Sequence, residues 1–115
     1  MSLLDRLLRR DADALPRTVR ADAALALVAS GATLVDVREP HEWRAGHARG
    51  ARHVPLGRLA AEARRLPTDA PVVVMCASGA RSRVAAGQLR AAGYRAASLG
   101  GGLAAWQAAG GSVTR

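Results

Sequence analysis

The fold is decided by the stretch Pro71-Val72-Val73-Val74-Met75-Cys76-Ala77-Ser78-Gly79-Ala80-Arg81-Ser82. Its first part is a continuous apolar run after a proline, which is the pattern of a strand buried on both faces of a parallel sheet. The small residues around Gly79 predict a tightly curled loop. A helix is predicted from about Arg81 to Ala92, where Gly93 ends it. This order of strand, loop and helix is typical of an α/β unit.

The same alternation continues on both sides of this unit. Residues 38–53 are polar, contain glycine and lack periodicity, so they are predicted to form a long loop. The whole pattern predicts an α/β fold with an open, mostly parallel sheet and helices on both faces. The further predicted elements are a helix capped by Asp22 and running to Ser30, a strand over 33–37, a short helix over 59–66, a strand over 95–99 and a helix over 103–109.

Length and composition favour one small domain. The chain has 115 residues, half of them hydrophobic, with a formal net charge of +8. All 17 basic residues are arginines, but they are spread along the chain, and aromatic residues make up only 3%. Nucleic-acid binding usually needs clustered cations and aromatic stacking groups. We therefore predict no nucleic-acid partner.

Residues 1–16 are predicted to form a helical extension before the domain of residues 17–115. Leucines recur there at helical spacing between arginines, and two interpretations are open: a helix docked on the domain or at a dimer contact, or a peripheral membrane anchor. The segment is too charged for a signal peptide, and no stretch of the chain is apolar enough to span a bilayer. These features predict a cytoplasmic protein.

Cys76 is the only cysteine, so an internal disulfide and a cysteine-rich zinc site are excluded. It follows the most buried predicted strand, at the edge where α/β sheets place their sites. Loop amides, the helix dipole and Arg81 all favour a thiolate there, which would be nucleophilic, partly exposed and suited to a small anionic substrate. The alternative is an ordinary core cysteine at the end of a strand.

The spacing of Cys76 and Arg81 bears on the chemistry. Phosphatases also use a cysteine, a loop and an arginine, with five residues between them, whereas four residues, 77–80, separate the pair here. The shorter loop favours a smaller transferred group, such as a single sulfur atom. Phosphatase and arsenate reductase activities therefore remain as the less favoured alternatives.

The residues resemble the rhodanese family from about Thr18 to Gly110. Four motifs occur in the family's order and spacing, with Ala48 and Met75 as departures that remove no catalytic atom. The motifs are Leu34-Val35-Asp36-Val37-Arg38-Glu39, residues 42–55 with Gly46-His47 at their centre, the loop Cys76–Ser82, and Leu99-Gly100-Gly101-Gly102-Leu103-Ala104-Ala105-Trp106.

The resemblance implies a sulfurtransferase that needs no cofactor and no metal. Cys76 would take the outer sulfur of thiosulfate, or of a related sulfane-sulfur donor, as a persulfide and pass it to cyanide or a thiol. The loop amides would bind that sulfur. The implied substrate-binding residues are Ala77, Ser78, Gly79, Ala80, Arg81 and Ser82. The physiological donor and acceptor and the oligomeric state are not specified by these motifs.

Several side chains are predicted to support the loop. Arg81 either orients the anion or forms a structural salt bridge, and Ser82 either caps the helix or donates to the Cys76 sulfur. Arg38 and Glu42 are predicted to form a salt bridge that holds the 38–53 loop. Asp36 and His47 are predicted to be structural rather than acid–base groups. Two further functional hypotheses remain, namely a persulfide relay for one protein partner and a non-enzymatic binding module.

Overall fold

The computed structural model describes residues 15–115. Within this range the chain alternates strands and helices, with single 3₁₀ turns at Leu56–Arg58 and Ala63–Arg65. The strands are β1 (Thr18–Val19), β2 (Thr33–Asp36), β3 (His47–Ala48), β4 (Arg52–His53), β5 (Val72–Met75), β6 (Ala96–Leu99) and β7 (Val113–Thr114). The helices are α1 (Ala21–Ala29), α2 (Pro40–Ala45), α3 (Leu59–Glu62), α4 (Ala80–Ala91) and α5 (Gly102–Ala108).

Five strands form one parallel sheet in the order β1-β6-β5-β2-β4. β5 lies at its centre, where Asp36 of β2 is paired with Met75 and Ser98 of β6 is paired with Val74. β3 and β7 pair antiparallel in a separate ribbon. The predicted α/β fold with an open, mostly parallel sheet is therefore confirmed.

Alternate residues of β5 face two different layers of core. Val72, Val74 and Cys76 pack with residues of α4 and of the segment around Leu59. Val73 and Met75 pack on the opposite face with residues of α1 and α5. Because both faces are covered, all four residues of β5 are buried, which explains the unbroken apolar run. The helices lie on both faces, as predicted.

The segment 38–53 differs from its prediction as a continuous loop. Pro40 starts α2, and a capping box forms because the side chains of Glu39 and Glu42 each accept a hydrogen bond from the other residue's backbone N–H. β3 and β4 follow, each only two residues long. Elements this short carry little periodicity, so their pattern is weak in the sequence.

Two smaller predictions about helices were also wrong. Asp22 does not cap α1, since Arg20 occupies that position without a side-chain bond and Asp22 lies in the first turn. The helix predicted over 59–66 is regular only at Leu59–Glu62. The extension predicted over residues 1–16 falls almost wholly outside the described residues. Among residues 15–115, the helices are all too short or too polar to cross a bilayer.

Candidate active site

The candidate site is built around Cys76, directly after β5 at the carboxyl edge of the sheet. The Gly79 N–H lies 3.0 Å from the sulfur and the Ser82 N–H lies 3.4 Å from it. Gly79 adopts a φ of 117°, in the region that favours glycine, and precedes the first residue of α4. This conformation curls the loop so that these two amides point at the sulfur, and the curled loop is as predicted. Binding of an anion there stays a prediction.

The prediction that Cys76 is partly exposed was wrong. Its side chain has 0% exposure, since α4 and the core residues around Leu89 pack over that face of the sheet. Its loop neighbours Ala77 and Ser78 are exposed. The sulfur therefore lies just beneath a surface formed by small side chains.

The hydroxyl of Ser82 contacts three groups at once. Its Oγ lies 3.5 Å from the Cys76 sulfur, 3.1 Å from the carbonyl oxygen of Gly79 and 2.6 Å from the Oγ of Ser98. The suggestion that Ser82 caps α4 does not hold, because Gly79 is the N-cap residue and no side-chain cap bond forms. Ser82 instead belongs to the hydrogen-bonding environment of the sulfur.

The hydrogen bonds around the sulfur favour its thiolate. Burial raises the pKa of the Cys76 thiol, but the Ser82 hydroxyl and the amides of Ser82, Gly79 and Ser78 lower it. Together these hydrogen bonds outweigh the burial, so the pKa of Cys76 lies below its ordinary value of 9.0. The same hydrogen bonds that lower the pKa would stabilise a negative charge on the sulfur.

Arg81 is engaged by a carboxylate. Its two terminal nitrogens lie 2.6 and 2.9 Å from the two oxygens of Glu42 on α2. Hydrogen bonding from Arg81, opposed by partial burial of the carboxyl group, lowers the pKa of Glu42 from 4.5 to about 2. The predicted structural salt bridge of Arg81 is formed, and it joins the start of α4 to α2. The orientation of an anion by Arg81 stays a prediction.

The predicted Arg38–Glu42 salt bridge is not formed. Arg38 is bidentate to Asp36, with Nη2 2.8 Å from Oδ2, and it also donates to the carbonyl oxygen of Gly46 at 2.7 Å. The reason is geometric, because the end of β2 places both side chains in the buried sheet edge, whereas Glu42 faces α4. Asp36 is fully buried and hydrogen-bonded, which agrees with its predicted structural role.

His47 is held by its neighbours rather than by the sulfur. Its Nδ1 lies 2.9 Å from the carbonyl oxygen of Trp43, and its ring stacks on the Trp43 ring at a centroid distance of 3.6 Å. His53 stacks on the same indole at 4.7 Å. None of the contacts described for residues 15–115 joins His47 to Cys76. This arrangement supports the structural interpretation of His47.

The glycine motif at 100–102 packs against the back of the loop. Gly102 has a φ of 64°, and a Cβ atom there would lie 2.1 Å from the carbonyl oxygen of Ala77. The Leu103 N–H donates to the carbonyl oxygen of Cys76 at 3.1 Å. Because these two carbonyl groups point toward α5, the following amides are free to face the sulfur.

The predicted substrate-binding residues divide into three groups. Gly79 and Ser82 contact the sulfur directly, and Arg81 is held by Glu42. The side chains of Ala77, Ser78 and Ala80 are exposed beside the loop, and their role in binding a substrate stays a prediction. Sequence reasoning missed Ser98, whose signal was a polar residue in the buried run Ala96-Ala97-Ser98-Leu99.

Comparison with known proteins agrees with this architecture. Residues 20–109 match the family described as the rhodanese-like domain. The chain belongs to the rhodanese-like family. The predicted resemblance is thereby confirmed.

Rhodanese-like proteins of several organisms are similar to this chain. It is 37% identical over 92 residues to the thiosulfate sulfurtransferase GlpE of Pseudomonas entomophila, covering 79% of this chain and 84% of that protein. A rhodanese-related protein of Thermoplasma volcanium superposes with a TM-score of 0.76 at 30% identity, covering 86% of this chain and 98% of the other.

A third relative bears on the phosphatase alternative. A Rhodopseudomonas palustris protein of unknown function, described as a possible tyrosine phosphatase, superposes with a TM-score of 0.74 at 28% identity. The superposition covers 95% of this chain and 92% of that one. The likeness of fold therefore does not by itself select the chemistry, and the site has to be considered.

Proposed function

We propose that this protein is a sulfurtransferase that moves sulfane sulfur from thiosulfate, or a related donor, to a thiophilic acceptor. The observation that carries the proposal is the sulfur of Cys76, surrounded by the amides of Gly79 and Ser82 at the carboxyl end of β5. A thiolate stabilised in this way is a nucleophile. The thiosulfate sulfurtransferase activity of GlpE supports the same chemistry here.

The reaction has two balanced steps. The Cys76 thiolate attacks the outer sulfur of thiosulfate, forming a sulfur–sulfur bond, and sulfite departs with the electron pair of the broken bond. The product is a Cys76 persulfide anion. Cyanide or a thiolate then attacks the terminal sulfur, and the thiolate of Cys76 is released as the leaving group.

The loop assists both steps through fixed dipoles. The amides of Gly79 and Ser82 point at the sulfur before any donor binds, so they stabilise charge there without reorganising. The small side chains of Ala77 and Ser78 give a donor sulfur a short approach to the buried thiolate. This mechanism requires neither a metal nor a cofactor, and the residues named suffice for it.

The geometry of Arg81 speaks against the phosphatase alternative. A phosphatase arginine binds the oxygens of the transferred phosphoryl group, but both terminal nitrogens of Arg81 are bound to Glu42. The loop of four residues between Cys76 and Arg81 is also short for a phosphate. A persulfide relay for one protein partner uses the same Cys76 chemistry and differs only in its donor and acceptor. A cytoplasmic location stays a prediction from the sequence.

Intact mass spectrometry tests the proposal directly. We expect the protein to gain one sulfur atom on exposure to thiosulfate and to lose it again when cyanide is added. Cys76→Ala is the matched control and should gain nothing while remaining folded. A gain only from a protein persulfide donor would instead indicate the relay. Absence of any gain, together with hydrolysis of an aryl phosphate, would contradict sulfur transfer.

A further inference from the structure

Ser98 places a hydroxyl group inside an otherwise apolar face of the sheet. It lies on β6 beside Val74 of the central strand, and its side chain has 0% exposure. Because side chains alternate along a strand, Ser98 shares the face of Ala96, which packs toward α4. Burying a hydroxyl is unfavourable unless it is hydrogen-bonded. Its one described side-chain partner is the Ser82 Oγ, at 2.6 Å.

The contacts of Ser82 restrict which hydroxyl can donate in this pair. Ser82 has one proton and two lone pairs, and its oxygen lies near the Gly79 carbonyl oxygen, the Cys76 sulfur and Ser98. If Ser82 donated to Ser98, neither the carbonyl oxygen nor a thiolate would receive its proton. If Ser98 donates, the Ser82 proton stays available for the carbonyl oxygen of Gly79 when the sulfur is a thiol and for the sulfur when it is a thiolate.

The two charge states then differ in the thiol proton, which is lost on ionisation, and in the direction of the Ser82 proton. With a neutral thiol, Cys76 and Ser98 both donate to the Ser82 oxygen, and Ser82 donates to the carbonyl oxygen of Gly79. When the thiol ionises, its donation is lost and the Ser82 proton turns to the negative sulfur. A chain of hydrogen bonds polarises each of its members, so donation from Ser98 strengthens the donation by Ser82.

We propose that Ser98 is a positioning residue that donates its proton to Ser82 and thereby keeps the Ser82 proton available for the Cys76 sulfur. This role rests on the proposed function of Cys76 as the reacting sulfur. Ser98 acts through Ser82, and it contacts neither a substrate nor the sulfur itself. It sets how readily the thiolate forms and is therefore part of the reactive site, although it lies one strand away from the loop.

The other charges near the sulfur are separate from this chain of hydroxyls. Arg81 of α4 interacts electrostatically with Cys76, and Glu42 of α2 is bound to Arg81. Asp36 and Arg38 form their own pair at the end of β2. Since none of these groups is bonded to Ser98, its substitution leaves them in place.

The test is the pH dependence of thiolate absorbance in the ultraviolet, which is assigned to the single cysteine, Cys76, after subtraction of the same titration of Cys76→Ala. In Ser98→Ala we expect the titration midpoint to rise by about half a pH unit, the size of a lost neutral hydrogen bond. Ser98→Thr, which retains a hydroxyl group, should keep the midpoint near that of the unsubstituted protein. In a Ser82→Ala background, adding Ser98→Ala should cause no further rise.

Ala97→Gly is the control for weakening of the strand, because Ala97 is also buried in β6 but faces the other core layer. It should leave the midpoint unchanged. An unchanged midpoint in Ser98→Ala, or an equal rise in the Ser82→Ala background or in Ala97→Gly, would overturn the proposal. The absorbance measures ionisation and not sulfur transfer, so a failure here is distinct from a failure to form the persulfide.

Discussion

At the scale of single residues, the site depends on which arginine meets which carboxylate. Arg81 is bound to Glu42 and Arg38 to Asp36, so the guanidinium groups of both arginines are engaged. The hydrogen bonds that stabilise a negative charge on the sulfur come from backbone amides and the Ser82 hydroxyl. Amides cannot be lost by titration, so this stabilisation persists over the whole pH range in which the protein stays folded.

Glu42→Gln should lower stability and change its response to acid. The pKa of Glu42 is about 2 in the folded protein and 4.5 ordinarily. Its contribution is thus complete above pH 4.5 and is lost as the pH falls toward 2, where the unfolded chain has already taken up the proton. Chemical denaturation should show a loss of about 1 kcal/mol at neutral pH and a shallower decline below pH 4.5.

Glu62→Gln is the matched control for this prediction. Glu62 lies 3.8 Å from Arg58, whose side chain is 72% exposed, so that pair contributes little. Equal losses in the two variants would show that the Glu42–Arg81 pair has no special role in stability.

At the scale of elements, the loop after β5 is shaped by the start of α5. The carbonyl oxygens of Cys76 and Ala77 lie against Gly102, and the N–H of Leu103 binds the first of them. The glycine motif thus acts at a distance in sequence, because any side chain at position 102 would push the loop outward. The unit of β5 and α4 meets the unit of β6 and α5 at this contact.

Gly102→Ala should disrupt the loop and abolish persulfide formation. The new Cβ would lie 2.1 Å from the Ala77 carbonyl oxygen, and the φ of 64° is unfavourable for alanine. We expect a stability loss of about 2 kcal/mol or more, measured by urea denaturation, and no sulfur gain by mass spectrometry. Gly87→Ala, within α4 and with no atom in the way of a Cβ, should be neutral or stabilising. Retention of full sulfur gain in Gly102→Ala would contradict this account.

At the scale of the whole molecule, the sheet is buried on both faces by helices, and its edge near the site contains charge. Asp36 has 0% exposure and Arg38 has 5%. Arg38 also reaches the carbonyl oxygen of Gly46, which follows α2. The pair thereby joins the sheet to the segment that precedes β3, and removing one partner leaves an uncompensated buried charge.

Arg38→Leu should destabilise the protein by about 3 kcal/mol or more, because Asp36 would remain buried without its partner. Arg58→Leu removes the same chemical group from an exposed helix start and should change stability by less than about 0.5 kcal/mol. Both values are obtained from the free energy of unfolding in urea. Similar losses in the two variants would contradict the importance assigned to the buried pair.

The sequence alone determined the fold class and the central residue of the site. The apolar run 72–75 required burial on both faces, and Cys76, Gly79 and Arg81 followed it at a spacing that predicted an anion-binding loop. These features are local in the chain, so periodicity and loop chemistry were sufficient to recognise them. The helix over 80–91 and the strand over 96–99 were likewise predicted within one residue of their observed ends.

Only the tertiary structure decided the partners of these residues. Glu42 meets Arg81 across 39 positions of sequence, and Ser98 meets Ser82 across 16. The burial of Cys76, the packing of Gly102 on the loop and the pairing of Arg38 with Asp36 also depend on how strands and helices assemble. The physical reason is that each such contact is selected by the three-dimensional packing of separate elements, which no local pattern of side chains encodes.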